Sequence, residues 1–110
     1  MNAPAPVAGI TRNLVVQRWG TPQATIGSVN EPREMEERGH RFNERWTYAT
    51  PRDESTNPRE RVVYWHRYDF VASYLIAADG SAVRENPAAL ERMLRAGASD
   101  RLYRPPAQLD

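Results

Sequence analysis

Residues 9–22 read Gly9-Ile10-Thr11-Arg12-Asn13-Leu14-Val15-Val16-Gln17-Arg18-Trp19-Gly20-Thr21-Pro22, and the order of residue types there sets the fold class. Ile10, Leu14, Val15 and Trp19 recur at helical spacing and fall on one side of a short helix. Thr11 offers a side-chain oxygen to the unpaired N–H groups of a first turn. Gly20 accepts the positive φ that closes a last turn, and Pro22 forbids continuation. The expectation is a helix with one apolar stripe that must be buried against something else.

That something is a sheet. Eight of the ten aromatic residues lie between Phe42 and Tyr74, so the core is expected there. Arg45–Thr50 reads as a strand with Trp46 and Tyr48 on one face. Trp19 and Trp46, each in phase with apolar neighbours, are expected to form the helix–sheet contact. Val62 to Ile76 carries the longest β pattern. Its even positions are Val62, Tyr64, His66, Tyr68, Phe70, Ala72, Tyr74 and Ile76. Its odd positions are Val63, Trp65, Arg67, Asp69, Val71, Ser73 and Leu75. The run exceeds an ordinary strand, which predicts a bend or bulge near Arg67–Asp69. Asp79-Gly80 is a two-residue hairpin turn that returns the chain through Ser81–Glu85.

Between helix and sheet, Glu31–Arg38 fits two helical turns, with Pro32 near the start and Gly39 as the stop. Gly39 fits equally as a hairpin tip leading into the strand that follows. The reading favours a short helix or irregular turn. Pro51–Arg61 is a polar loop. Asn86-Pro87 opens a second helix with Leu90, Met93 and Leu94 on one side and Gly97 at its end. Residues 1–8 read as a flexible arm, 9–97 as one domain and 98–110 as a loosely ordered tail.

A length of 110 residues fits a single domain. At this size folding removes roughly two-thirds of the chain's surface from water, which suffices for one core. A charged fraction of 26% and a mean hydropathy of −0.75 put much of the remainder in loops and surface. All 15 basic residues are arginine. With no lysine and no cysteine, Schiff-base, thiolate and disulfide chemistry have no residue to act through. A net charge of +1 supplies no overall field for nucleic acid or a membrane surface. No apolar run approaches the length of a membrane span. Met1 to Gly9 has no charged leader region, so the expectation is a cytoplasmic chain as it stands, or a periplasmic one if an export signal has been removed.

The candidate chemistry is thin. His66, Asp69 and Ser73 bring a hydrolase triad to mind. On a straight strand His66 and Asp69 point to opposite faces, and no nucleophile elbow is present. His40 and His66 alone do not make a transition-metal site. No catalytic residue, metal or cofactor is expected, and the protein reads as non-enzymatic.

The set Gly9-Ile10-Thr11, Val15, Trp19-Gly20 and Pro22, followed by Trp46-x-Tyr48 and by Asp79-Gly80 with Val83, resembles the BamE/SmpA-like small domain family over about residues 9–85. In that family a Gly-Met-Thr start, a valine four residues later and a Leu-Gly-x-Pro stop recur with the same spacing. Ile10 and Trp19 stand where methionine and leucine are usual. The chain as it stands shows neither the signal sequence nor the lipid-bearing cysteine of the outer-membrane members. The resemblance implies an α+β fold, with two short N-terminal helices on one face of a three-stranded antiparallel sheet. The C-terminal helix and tail are extra.

Such a sheet leaves its second face open, and the odd positions of the long strand would lie on it. Val63, Trp65, Arg67, Val71 and Leu75 are therefore the expected partner-binding residues, since tryptophan and arginine are enriched where proteins bind. The expected partner is another protein or a second copy of the chain. The alternative cover for that face is the C-terminal helix itself. A second function class, a nucleic-acid-associated protein, would use Arg61, Tyr64, Trp65, Arg67 and Tyr68 to stack on bases. The near-zero net charge weighs against it.

Overall fold

The computed structural model describes residues 9–49 and 60–96. Its first helix, α1 (Arg12–Trp19), begins where Thr11 accepts from the Leu14 N–H at 3.1 Å and ends at Gly20, whose φ is 82°. The chain continues through β1 (Ala24–Gly27), β2 (Met35–Glu37), β3 (His40–Phe42), β4 (Glu44–Ala49), β5 (Glu60–His66), β6 (Asp69–Ile76), β7 (Ala82–Arg84) and α2 (Pro87–Ala96). Five strands form one antiparallel sheet in the order β1-β4-β5-β6-β7, and β2 pairs with β3 as a separate hairpin. The Asn86 side chain accepts from the Ala89 N–H and caps α2.

The class is α+β with two helices, but the expected three-stranded sheet with two N-terminal helices is overturned. One helix precedes the strands and one follows them. The segment expected to hold the second N-terminal helix is the β2–β3 hairpin. Arg38 and Gly39 both take positive φ (52° and 81°) at its tip, as a two-residue turn of this hand requires. Met35 and Phe42 then face each other in register and turn the same side to the large sheet.

The long β run is likewise two strands. His66 pairs with Asp69 around the Arg67-Tyr68 turn, and Arg67 takes a φ of 60°. Tyr64 opposes Ala72 while Trp65 opposes Phe70, so Val71 is a bulged extra residue and the alternation changes phase there. A turn built on arginine and tyrosine carries no glycine, proline or asparagine to announce it. It is imposed from outside: Asn43 Oδ1 accepts from the Arg67 N–H at 2.8 Å, and Arg67 Nη1 donates to the Val29 carbonyl at 3.2 Å.

Both faces of the sheet are covered. On one, α1 and α2 bury Ile10, Val15, Trp19, Leu90 and Leu94 against Trp46, Tyr48, Val63 and Trp65. Trp19 meets Tyr48 edge-on with 5.4 Å between ring centres, so both predicted tryptophans are core. On the other face the β2–β3 hairpin closes Phe42 over Val62, Tyr64 and Ala72. Asn43, wholly buried between β3 and β4, also donates to the Val29 and Glu31 carbonyls and ties the β1–β2 connection to the sheet. No helix among the described residues is long and apolar enough to cross a membrane. The expected arm and tail and the loop at 51–59 lie outside the described residues.

Candidate functional site

The five residues expected to share a binding face are not brought together. Val63 and Trp65 are buried beneath the two helices, with Trp65 at 0% exposure. Arg67 is exposed in the β5–β6 turn. Val71 packs with the Phe42–Tyr64 cluster on the opposite face, and Leu75 is half-buried opposite Arg61 and Val83. The hairpin turn and the bulge break the parity that the expectation assumed. The helices fill the face that was to be open, so the alternative in which α2 contributes the cover holds.

The arginine–aromatic set expected for nucleic acid is dispersed for the same reason. Tyr64 and Trp65 are core residues. Arg61 is 1% exposed, grips Glu85 through two bonds of 2.8 and 2.7 Å, and lies 4.0 Å above the Trp19 ring. Only Arg67 and Tyr68 of that set reach solvent.

Nor do His66, Asp69 and Ser73 assemble. His66 meets Glu34 at 2.9 Å, while Ser73 is buried on the helix-bearing face and donates to Glu85. Among the described residues no three histidine or carboxylate side chains are grouped to hold a metal ion.

Two other features stand out. The first is a polar aromatic cluster where the β2–β3 hairpin meets β5, β6 and β7. Tyr64 donates to Glu37 Oε1 at 2.7 Å and accepts from Arg38 Nη1 at 2.6 Å. Arg45 Nη1 reaches both oxygens of Glu37, at 2.7 and 3.1 Å. His40 Nε2 lies 2.8 Å from the Tyr74 hydroxyl, and the Arg38 guanidinium sits 5.4 Å from the centre of the Tyr74 ring. Arg84 is in register with Tyr74 on the neighbouring strand and so shares its face.

The electrostatics follow from this geometry. Burial, the Tyr64–Glu37 hydrogen bond and the Glu37 charge push the Tyr64 phenol up to about 12. Burial alone would raise the Glu37 carboxyl, but the bonds from Tyr64 and Arg45 and the charges of Arg45 and Arg38 outweigh it and hold it below the usual range. Burial, and then the Arg84 charge, press the His40 imidazole below its ordinary value. Tyr64 is thus a neutral donor, Glu37 an anion and His40 a neutral ring poised beside cations.

The second feature is the β1 edge. All four residues of β1 are exposed, β4 pairs only one of its sides, and Ile26 is 40% exposed. Residues 19–30 carry no charged side chain, in a chain that is 26% charged. Natural edges are ordinarily blunted by charge, proline or a bulge, and β1 has none of these within its length. The opposite edge, β7, is only three residues long and ends in Arg84.

The uncharged run was visible in the sequence and could have marked the edge. The Tyr64–Tyr74–His40–Arg38 cluster could not, because its members lie up to 36 residues apart and meet only when the hairpin folds over the sheet.

No family model, curated protein or solved structure matches the chain.

Proposed function

We propose that the protein is a non-enzymatic protein-interaction or assembly module that accepts an extended segment of another polypeptide at the β1 edge. The observation that carries this reading is the uncharged, exposed β1 strand, whose outer row of backbone N–H and C=O groups meets no neighbouring strand among the described residues. Main-chain hydrogen bonds to an added strand supply affinity there, and the alternating side chains of β1 supply selectivity. Thr25 shares the side of Trp46, and Ile26 that of Arg45, so an added strand meets one polar and one apolar position. The faces of the sheet do not serve, since both are covered by the chain's own elements.

Ile26→Lys tests the proposal, because a lysine on an exposed edge leaves the fold intact but opposes pairing. Self-association is read by sedimentation, and peptide binding by display selection on the immobilised protein. The expected result is a dimer or a set of extended peptide ligands, either of them lost in the variant. A monomer that selects no peptide, or binding that Ile26→Lys leaves unchanged, overturns it.

A further inference from the structure

The arginines of this fold are mostly accounted for internally. Arg12 clasps Glu44 at 2.6 and 3.2 Å, Arg45 holds Glu37 and Arg61 holds Glu85. Arg84, like Arg92 on α2, is exposed and has no hydrogen bond or ion pair among the described residues; Tyr74 and the His40 ring stand beside Arg84. Around that pair the charges do not balance. Arg38, Arg45 and Arg84 face one carboxylate, Glu37, which Arg45 and Tyr64 already occupy. Three cations against one anion leave a local surplus of two positive charges.

We propose that the His40–Tyr74 pair, bracketed by Arg38 and Arg84, is a binding site for the phosphate group of a small molecule. The donors come from three elements: Arg38 and His40 from the β2–β3 hairpin, Tyr74 from β6 and Arg84 from β7. Donors spread in this way can each meet a different oxygen of a tetrahedral anion, and charge-assisted bonds from guanidinium to phosphate are among the stronger ones. The Phe42 and Tyr64 rings pack with centroids 4.7 Å apart, and the Tyr64 and Tyr74 rings with centroids 6.0 Å apart, next to these donors. The site lies at the edge of the sheet remote from β1 and stands independently of strand addition there.

Binding is coupled to a proton. His40 Nε2 and the Tyr74 hydroxyl are hydrogen-bonded across 2.8 Å, the hydroxyl being the donor when the neutral ring carries its proton on Nδ1. A bound phosphate offsets the Arg84 charge that opposes protonation. The imidazole takes up a proton from solvent, Nε2 becomes the donor to the Tyr74 oxygen, and the hydroxyl hydrogen is free to turn to the anion. The charged and titratable groups around His40 are Glu37 and Arg38 on its own hairpin, Arg45 on β4 through its bonds to Glu37, Tyr64 on β5, Tyr74 on β6 and Arg84 on β7. Protonated His40 therefore holds a given phosphate species more tightly than neutral His40 does, and the bound anion in turn favours the protonated ring.

The test is an NMR titration of both histidine rings with inorganic phosphate at constant ionic strength, with acetate and a phosphate monoester as further arms. The expected result is a saturable shift of His40 with its protonation moved to higher pH, no comparable change at His66, a weaker response to acetate and loss of the effect in Arg84→Gln. Stronger binding of the monoester than of inorganic phosphate assigns the group to an organic ligand; the reverse order assigns the site to the free ion, and either supports the anion site. A His40 response no greater than that of His66, or an equal response in Arg84→Gln, overturns it.

Discussion

Converting Glu85 to glutamine should cost far more than the loss of an ordinary surface ion pair. The Glu85 carboxylate accepts both guanidinium bonds of Arg61 and the hydroxyl of Ser73, and Arg61 is 1% exposed beneath the helix-bearing face. Its cation lies against the Trp19 ring at 4.0 Å. Removing the partner of a buried charge costs about 3–5 kcal/mol, against about 0.2–1 kcal/mol for an exposed pair. Domains of this size are stable by about 5–15 kcal/mol in all. The loss corresponds to a fall in Tm on the order of 15–30 °C.

Urea denaturation followed by tryptophan fluorescence reads this directly, since Trp19 lies under the guanidinium. The companion variant replaces the whole group with apolar residues, Arg61→Met, Ser73→Ala and Glu85→Leu together. It should recover most of the loss, because the cost lies in stranding a charge and not in the pair's net contribution. If Glu85→Gln unfolds within about 1 kcal/mol of the parent, the range of an exposed pair, the cation is solvated and the reasoning fails.

Three further outcomes are expected. Trp65→Ala should lose about 3–5 kcal/mol and Trp65→Glu should fail to fold, as for any large ring removed from a packed core; a folded Trp65→Glu protein would return this residue to the surface. Asn43→Ala strands the Arg67 N–H and the Glu31 carbonyl, so it should cost about 1–3 kcal/mol and collapse hydrogen-exchange protection at the Arg67 amide; retained protection there would show that the β5–β6 turn holds itself. Ultraviolet titration should find one phenol ionising near 12, absent in Tyr64→Phe. The folded state keeps that proton while the unfolded chain loses it near 10, so the associated stability is complete below pH 10 and falls between pH 10 and 12. An alkaline unfolding curve identical in Tyr64→Phe would refute it.

Local chemistry settled what is local. Thr11, Gly20 and Pro22 bound α1 by satisfying or denying backbone hydrogen bonds within a few residues, and Asn86-Pro87 does the same for α2. Trp19 and Trp46 were legible as core because a large apolar surface in phase with others has nowhere else to go. Asp79-Gly80 announced its turn, and Gly80 takes a φ of 92° there. Glu31–Arg38 reads in sequence as a short helix or irregular turn, and that reading fails from Met35 onward, where the chain is a hairpin whose Phe42 packs on Tyr64 of the large sheet. The Arg67-Tyr68 turn had no local signature, because an asparagine 24 residues away holds it. A full hairpin turn where the sequence predicts a bend or bulge near Arg67–Asp69, and a bulge at Val71, change which residues share a face, and with them the predicted binding face. Alternation along a strand gives relative facing only; which face is buried, and by what, depends on contacts between distant segments, and those exist only in the folded chain.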